Sequence, residues 1–374
     1  MTALLPVEKL ISIGVVVDNL ERATQRYAQI LGIDTWQVRN FDVNRLTQVT
    51  ARGRTIVEPS FRTATGTTVG AARDAGAPPG PDGVPVTFEL VQPLRGETPF
   101  QEFRFRRHQG ISHLTLAVAT RAEFAGIKAG LERAGIAVSA SMVVDGVVER
   151  HFVDTRAALG GFHVEIIVTD EADPTLAVDE VWDHSGSYER PAGVGPLAVQ
   201  GVGHFGVVVN DVIATIERYH EVFGIESWKI RDWRTEPGLL ENPTYRGEEV
   251  DHEYFTGIAP FADFGFEIIE PTFGPSHYNR EFRDLTGEGV HHLLLSVTAT
   301  KETWDRNREW LTEIGVPLAM GSKLIEGSGE FCYYDTSEPL GGWMLEATCY
   351  HFGLPAERMQ PEYVIDFSTL AAIV

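Results

Sequence analysis

Residues 202–211 read VGHFGVVVND, and they carry the pattern on which the rest of this chain is built. It combines an apolar strand, a histidine at its start (His204) and an Asn-Asp pair able to cap a following helix. Apolar residues then recur at helical spacing until Gly224, a residue type common at helix ends. Further along, the stretch FGFEII (264–269) places Glu267 inside a second apolar strand. The pattern predicts a strand–helix–strand unit with one polar side chain in each outer strand.

The same plan occurs four times, at intervals of roughly ninety residues. The opening strands are ISIGVVV (11–17), ISHLTLAV (111–118), VGHFGVVV (202–209) and VHHLLLSV (290–297). The closing strands are VTFELV (86–91), FHVEIIV (162–168), FGFEII (264–269) and GWMLEA (342–347). Helix starts are predicted at Asp18 or Asn19, at Thr120 and at Asn210 or Asp211, and helix ends at Gly32, Gly135, Gly224 and Gly315. The sequence therefore predicts an α+β protein built from four repeated modules.

Composition and charge restrict the partners and the location of the chain. Of its 374 residues 43% are hydrophobic and 22% charged, and the formal net charge of −22 disfavours nucleic acid or an anionic membrane as a partner. The apolar stretch near the N-terminus is shorter than a membrane span and has no basic segment before it, so neither a span nor a signal peptide is expected. Cys332 and Cys349 are the two cysteines, which favours reduced thiols in a cytoplasmic protein.

A segment rich in acidic residues, Pro and Gly separates the second module from the third. We expect an N-terminal domain of two modules at 1–170 and a linker at 171–199. A C-terminal domain of two modules is expected at 200–350, followed by a tail at 351–374. Exposed edges of the predicted sheets favour a homodimer.

The repeated polar residues predict a metal site in the C-terminal half. A carboxylate buried in an apolar strand without a partner costs several kcal/mol, and a buried imidazole also needs partners. His and Glu recur at equivalent strand positions, and a cation that they bind together explains this better than separate protein partners for each side chain. Two imidazoles and two carboxylates suit one divalent ion, Fe, Mn, Co, Ni or Zn, with two positions left for substrate or water, and the absence of thiolates argues against structural zinc. The predicted ligands are His204, Glu267, His292 and Glu346.

The N-terminal half carries a variant of this set. Its equivalent residues are Ser12, Glu89, His113 and Glu165, with a hydroxyl in place of the first imidazole. We therefore expect this site to be degenerate, and either free of metal or weak.

With these motifs in register, the sequence resembles the vicinal oxygen chelate superfamily, which includes glyoxalase I, methylmalonyl-CoA epimerase, bleomycin-resistance proteins and extradiol dioxygenases. Tyr27 with Gly32 and Tyr219 with Gly224 match module markers of that superfamily. The resemblance implies four βαβββ modules, paired into two tandem glyoxalase-like domains with cupped mixed sheets. It also implies ligands from the first and last strands of each module.

The resemblance leaves the pairing of the modules open. Pairing between neighbours, which the linker favours, gives the C-terminal ligand set named above. Pairing as in swapped four-module members would instead combine His113, Glu165, His204 and Glu267.

The first functional hypothesis is a metal-dependent isomerase, epimerase or lyase acting at the carbon next to a carbonyl. A chelated Lewis acid stabilises the enolate, and Glu267 or Glu346 can act as ligand and base in turn. The substrate would be a small oxygenated molecule, of which a cyclic keto-polyol is one example. The charge of the protein mildly favours a neutral substrate.

Two alternatives remain. The first is extradiol ring cleavage, but Glu267 would add a fourth ligand, and no histidine lies between Lys323 and Cys332, before the strand residue Tyr333. The second is a metal-free module that binds a drug in an apolar cup. Its aromatic lining would be Trp228, Trp233, Tyr254 and Trp343.

Overall fold

The computed structural model describes residues 3–172, 174–189, 194–236, 238–298, 300–351 and 360–370. The protein is an α+β protein with two curled mixed sheets, one from each half of the chain, as the sequence predicts. Within these ranges each sheet has eleven strands. No helix in the described ranges is long and apolar enough to cross a membrane.

The N-terminal half contains all the strands of the first sheet. Its elements are β1 (Ser12–Val16), α1 (Leu20–Leu31), β2 (Thr35–Phe41), β3 (Leu46–Ala51), β4 (Arg54–Thr55), β5 (Ser60–Thr67), β6 (Thr87–Arg95), α2 (Pro99–Arg107), β7 (Gly110–Ala119), α3 (Arg121–Arg133), β8 (Val138–Val144), β9 (Val148–Val153), α4 (Arg156–Leu159), β10 (His163–Val168) and β11 (Glu180–Asp183).

The C-terminal half repeats this order closely, with a π-helix at the place of α2. Its elements are β12 (His204–Val208), α5 (Val212–Phe223), β13 (Ser227–Trp233), β14 (Leu240–Tyr245), β15 (Glu248–Glu249), β16 (Glu253–Phe261), β17 (Phe264–Phe273), a π-helix (His277–Arg283) continued by α6 (Asp284–Thr286), β18 (Gly289–Thr298), α7 (Lys301–Glu313), β19 (Leu318–Leu324), β20 (Gly329–Tyr334), β21 (Met344–Tyr350), β22 (Tyr363–Asp366) and α8 (Phe367–Leu370).

Neighbouring modules pair in each half through their opening strands. β1 and β7 are antiparallel at the centre of the first sheet, and each has its own closing strand, β6 or β10, parallel on its outer side. The second sheet repeats this arrangement as β21, β18, β12 and β17. The swapped pairing, with His113 and Glu165 beside His204 and Glu267, is therefore wrong.

The helices begin and end where the sequence predicts. The side chain of Asn19 caps α1, and that of Asp211 caps α5. Each of these helices ends at a glycine in the left-handed conformation, Gly32 (φ 71°) and Gly224 (φ 72°). These caps turn the chain sharply after each opening strand, so that α1 and α5 cover one face of their sheets.

Strand alternation separates a core face from a cup face. In β12, Phe205 and Val207 belong to the large core packed around the helices, whereas Val208 faces a separate apolar cluster on the other side of the sheet. His204 shares the face of Val208. The two faces match the prediction from the sequence.

The two halves share the helix-side core and are joined by buried hydrogen bonds. Tyr27 of α1 donates to the carbonyl of Leu340 at 2.8 Å and accepts from Trp343 Nε1 at 2.9 Å. In the opposite direction, Tyr219 of α5 donates to the carbonyl of Leu159 at 2.9 Å. The tyrosine of each module marker therefore contacts the other half of the molecule.

Two short edge strands lie in segments where the sequence shows no strand pattern. β11, inside the predicted linker, pairs with β2, and β22, inside the predicted tail, pairs with β13. Both are four residues long and contain no buried residue, so they lack the alternating pattern that reveals a half-buried strand. The domain boundaries, the homodimer and the cytoplasmic location stay predictions.

We predict that Tyr27→Phe lowers the free energy of unfolding by about 1–3 kcal/mol, because it leaves the buried Leu340 carbonyl without its donor and Trp343 Nε1 without its acceptor. Urea denaturation followed by fluorescence measures the effect. Tyr363→Phe is the control, since Tyr363 is 46% exposed, and a surface change of this kind alters stability by about 0.5 kcal/mol or less. Equal stability of the two variants would contradict the prediction.

Candidate metal centre

The central strands of the second sheet bring two imidazoles together. His204 opens β12 and His292 lies in the antiparallel β18, opposite Gly206. Their Nε2 atoms are 3.3 Å apart. His292 is fully buried, whereas the side chain of His204 is 15% exposed. Solvent therefore reaches this pair from the side of His204.

The closing strands add two carboxylates. Glu346 Oε2 on β21 lies 2.8 Å from His204 Nε2 and 3.1 Å from His292 Nε2. Glu267 Oε2 on β17 lies 3.3 Å and 3.4 Å from the same two nitrogens. All four side chains predicted from the sequence thus converge, and we call His204, Glu267, His292 and Glu346 the C-terminal cluster.

The C-terminal cluster fits a divalent ion. Its four donor atoms lie within 4.8 Å of one another. First-row divalent ions bind imidazole nitrogen and carboxylate oxygen at about 2.0–2.2 Å, so neighbouring donors around one ion are about 3 Å apart. The distances between each nitrogen and each carboxylate oxygen have this size. The donor set, two nitrogens and two oxygens without thiolate, is of the type that Fe, Mn, Co, Ni and Zn accept.

The charges of the C-terminal cluster also favour a cation. Burial alone would lower the pKa of His204, but the carboxylates of Glu346 and Glu267 raise it to about 10. Burial would raise the pKa of Glu267, and the adjacent His204 instead holds it well below its usual range. Without an ion, a proton on His204 therefore offsets one of the two negative charges of the carboxylates. Ion binding would displace this proton.

A glycine makes room for His292. A Cβ atom at position 206 would lie 1.9 Å from Cε1 of the His292 ring. The same relation holds in the first sheet, where a Cβ at Gly14 would lie 1.9 Å from Cε1 of His113. The sequence contains the signal for this role, since a glycine follows both Ser12 and His204 by two residues.

The equivalent residues of the N-terminal half hold an arginine instead. Glu89, His113 and Glu165 also converge. Arg150 of β9 donates from Nη1 and Nη2 to the two oxygens of Glu89, at 2.9 and 2.6 Å, and from Nε to Glu165. We call these four residues the N-terminal cluster.

The guanidinium of Arg150 supplies the positive charge of the N-terminal cluster. Burial would lower the pKa of Arg150, but Glu165 and Glu89 raise it. Ser12 donates to Thr115 at 2.9 Å, and Thr115 donates to Glu165 at 2.6 Å. By strand register, the residue of β20 equivalent to Arg150 is Phe331. Arg150 is not part of the repeat, so the sequence pattern does not reveal its role.

Aromatic side chains occupy the cup beside the C-terminal cluster. Tyr254, Tyr278 and Tyr333 are buried on this face, and the hydroxyls of Tyr278 and Tyr333 are 2.5 Å apart. Burial raises the pKa of all three phenols. They therefore form an apolar, neutral wall.

The aromatic lining proposed for a drug-binding cup is divided between the two faces of the sheet. Trp228 and Trp343 lie in the helix-side core, so they do not line the cup. Tyr254 belongs to the cup cluster, and Trp233 packs against it.

A chain of three histidines leads away from the C-terminal cluster. His292 Nδ1 lies 3.0 Å from His291 Nδ1, and His291 Nε2 lies 2.8 Å from His277 Nδ1. Neither His277 nor His291 occupies a repeated position, so the repeat predicts no role for them. The signal available was the double histidine in β18, at the position where β7 has Ser112 and His113.

We predict that Gly206→Ala abolishes or strongly weakens metal binding, because the added Cβ displaces the ring of His292. An effect of at least about tenfold on the Co²⁺ dissociation constant is expected, measured by chelator competition. Gly14→Ala is the matched control, since it creates the same overlap in the N-terminal cluster, and it should leave metal binding unchanged. Equal behaviour of the two variants would contradict the account.

Comparison with known proteins gives the following matches. A scan against protein-family models and a search of curated proteins found no match. A mutant of 4-hydroxymandelate synthase from Streptomyces coelicolor matches 99% of this chain and 100% of its own, with 14% identity and a TM-score of 0.51. The 2,3-dioxygenase LapB from Pseudomonas sp. KL28 matches 96% of this chain and 97% of its own, with 13% identity and a TM-score of 0.41. A fusion of a xylose isomerase-like TIM barrel with 4-hydroxyphenylpyruvate dioxygenase matches 95% of this chain and 51% of its own, with 11% identity and a TM-score of 0.43.

At these identities the likeness concerns the fold. The likeness gives no support to the predicted isomerase or epimerase activity, and that activity and its dioxygenase alternative both stay predictions. The match with 4-hydroxymandelate synthase extends over both chains in full, through two tandem glyoxalase-like domains. The chain therefore has the fold of the vicinal oxygen chelate superfamily, as its sequence predicted.

Proposed function

We propose that this protein is a divalent-metal-dependent enzyme that acts on a small oxygenated substrate. His204, Glu267, His292 and Glu346 would hold the ion. The observation that supports this most is the convergence of two imidazoles and two carboxylates, with Nε2-to-Oε2 distances of 2.8–3.4 Å, in an otherwise apolar sheet.

A bound ion of this kind supplies Lewis acidity, which stabilises negative charge on a carbonyl oxygen. Four protein donors leave two positions on a six-coordinate ion, enough for two neighbouring oxygens of one substrate. The phenyl rings of Tyr254, Tyr278 and Tyr333 would exclude bulk water from the bound substrate. Access from the side of His204, the most exposed of the four, would bring the substrate to this cluster.

The donor count favours proton transfer next to a carbonyl as the reaction. Two free positions suffice for a chelating substrate, whereas a chelating substrate and dioxygen together need three. Glu267 is the better candidate for the base, because its Oε2 lies farther from both imidazoles than that of Glu346. In this proposal Glu267 would act as ligand and base in turn, taking the proton and returning it, whereas Glu346 would stay a ligand throughout, as in an isomerase or epimerase.

Extradiol-type oxygenation is the second candidate, and a specific observation favours it. The three closest donors, His204, His292 and Glu346, form a set of two histidines and one carboxylate. That set is typical of non-haem Fe(II) oxygenases, which keep three positions open. In this alternative Glu267 would lie beside the ion without binding it.

We predict about one divalent ion per purified chain, lost in His204→Ala because one of the four donors is removed. Elemental analysis measures it. His113→Ala is the control and should keep the ion, since Arg150 already balances the carboxylates around His113. An ion-free wild type, or equal metal loss in both variants, would overturn the proposal.

Glu267→Gln distinguishes the two reactions. For proton transfer, the metal-loaded protein in D₂O should exchange the α-hydrogen of a cyclic α-hydroxy ketone, and the variant should lose about 10²–10⁴-fold of that rate because the base is gone. NMR measures the exchange. Oxygen uptake with catechol by the Fe(II)-loaded protein, retained in Glu267→Gln, would instead establish the oxygenase alternative.

A further inference from the structure

Two buried histidines outside the C-terminal cluster form a continuous hydrogen-bonded chain with His292. His291 and His277 are 0% and 4% exposed, and ring nitrogens are 3.0 Å apart at the first junction and 2.8 Å at the second. His277 begins the π-helix, the one segment of this helix type within the described residues, and π-helical turns are frequent at functional sites. The chain thus joins the cluster to a structurally unusual segment.

Hydrogen-bond chemistry fixes the direction of this chain once His292 binds an ion through Nε2. A neutral imidazole has one N–H, so His292 Nδ1 carries the proton and donates it to His291 Nδ1. His291 then carries its proton on Nε2 and donates to His277 Nδ1. His277 in turn presents its Nε2–H. Each tautomer follows from the one before it.

The far end of the chain opens to a cavity between the two halves. His277 lines this cavity, which measures about 220 Å³, together with Arg107 of the first half and Glu281. Glu281 Oε2 is 3.9 Å from His277 Nε2, and Tyr245 donates to Glu281 at 2.5 Å. A fixed carboxylate therefore stands beyond the last N–H of the chain.

In the described part of the N-terminal half, His113 has no such histidine chain beside it, and its cluster contains Arg150. There Ser112 precedes His113, and its hydroxyl lies 2.9 Å from His113 Nδ1. Pro99, which has no polar side-chain atom, begins α2 at the position where His277 begins the π-helix. The three-histidine chain is therefore found beside the C-terminal cluster, which contains no arginine, and not beside the N-terminal cluster, which contains Arg150.

We infer that His291 and His277 are positioning residues for the metal ligand His292. They fix its ring orientation and its tautomer so that Nε2 faces the C-terminal cluster. This inference rests on the proposed metal binding. Loss of such a partner of a ligating histidine weakens metal affinity by about 10–100-fold in general.

The test compares Co²⁺ binding by the full-length wild type, His277→Leu and His277→Asn. His277→Leu removes the acceptor for His291 and should raise the Co²⁺ dissociation constant at least about tenfold and change the Co²⁺ visible spectrum. His277→Asn places an amide oxygen near the position of Nδ1 and should restore both readouts to near wild type. His163→Leu, a buried histidine that lines a neighbouring cavity, is the control and should bind Co²⁺ normally.

A second readout observes the tautomers directly. In ¹⁵N-histidine-labelled protein loaded with Zn²⁺, His291 should be protonated on Nε2 and unprotonated on Nδ1. The opposite tautomer, unchanged Co²⁺ binding in His277→Leu, or binding by His277→Asn as weak as by His277→Leu would overturn the inference alone. A wild type that binds no Co²⁺ would overturn the proposed function and the inference with it.

Discussion

Each sheet holds two carboxylates that are buried or, for Glu89, partly buried, and the compensation of their charge governs the rest of the structure. Moving an ionised group out of water without a partner costs several kcal/mol, so Glu89, Glu165, Glu267 and Glu346 each need positive charge nearby. The N-terminal half supplies it with the guanidinium of Arg150. The C-terminal half has Phe331 at the equivalent place and brings two imidazoles to its carboxylates instead. In our account, an ion completes this second arrangement.

The sheet topology explains why residues so distant in sequence meet. The opening strands of neighbouring modules pair antiparallel, and each closing strand pairs parallel with its own opening strand. Four adjacent strands therefore each contribute one side chain to the same face. Gly206 removes the side chain that would otherwise occupy the space of the His292 ring. The architecture is thus common to both halves, and the chemistry differs through single substitutions within it.

The repeat explains how much could be predicted from the sequence. Recurrence at equivalent strand positions identified His204, Glu267, His292 and Glu346, and helix caps at Asn19 and Asp211 follow local rules that need no tertiary information. The repeat does not distinguish three further residues, because each has no counterpart in the other half: Arg150, His277 and His291. Their roles depend on strand register and on the start of the π-helix. The edge strands β11 and β22 were missed because exposed strands carry no apolar alternation.

On this view a cation belongs in the C-terminal cluster, and Arg150 takes its place in the N-terminal cluster. The most direct measurement is an anomalous difference map from crystals of the Co²⁺-loaded protein, recorded at the cobalt absorption edge. The account predicts one strong peak within bonding distance of His204, His292 and Glu346, and none beside Arg150. A peak beside Arg150, or the absence of a peak between the two histidines, would contradict it.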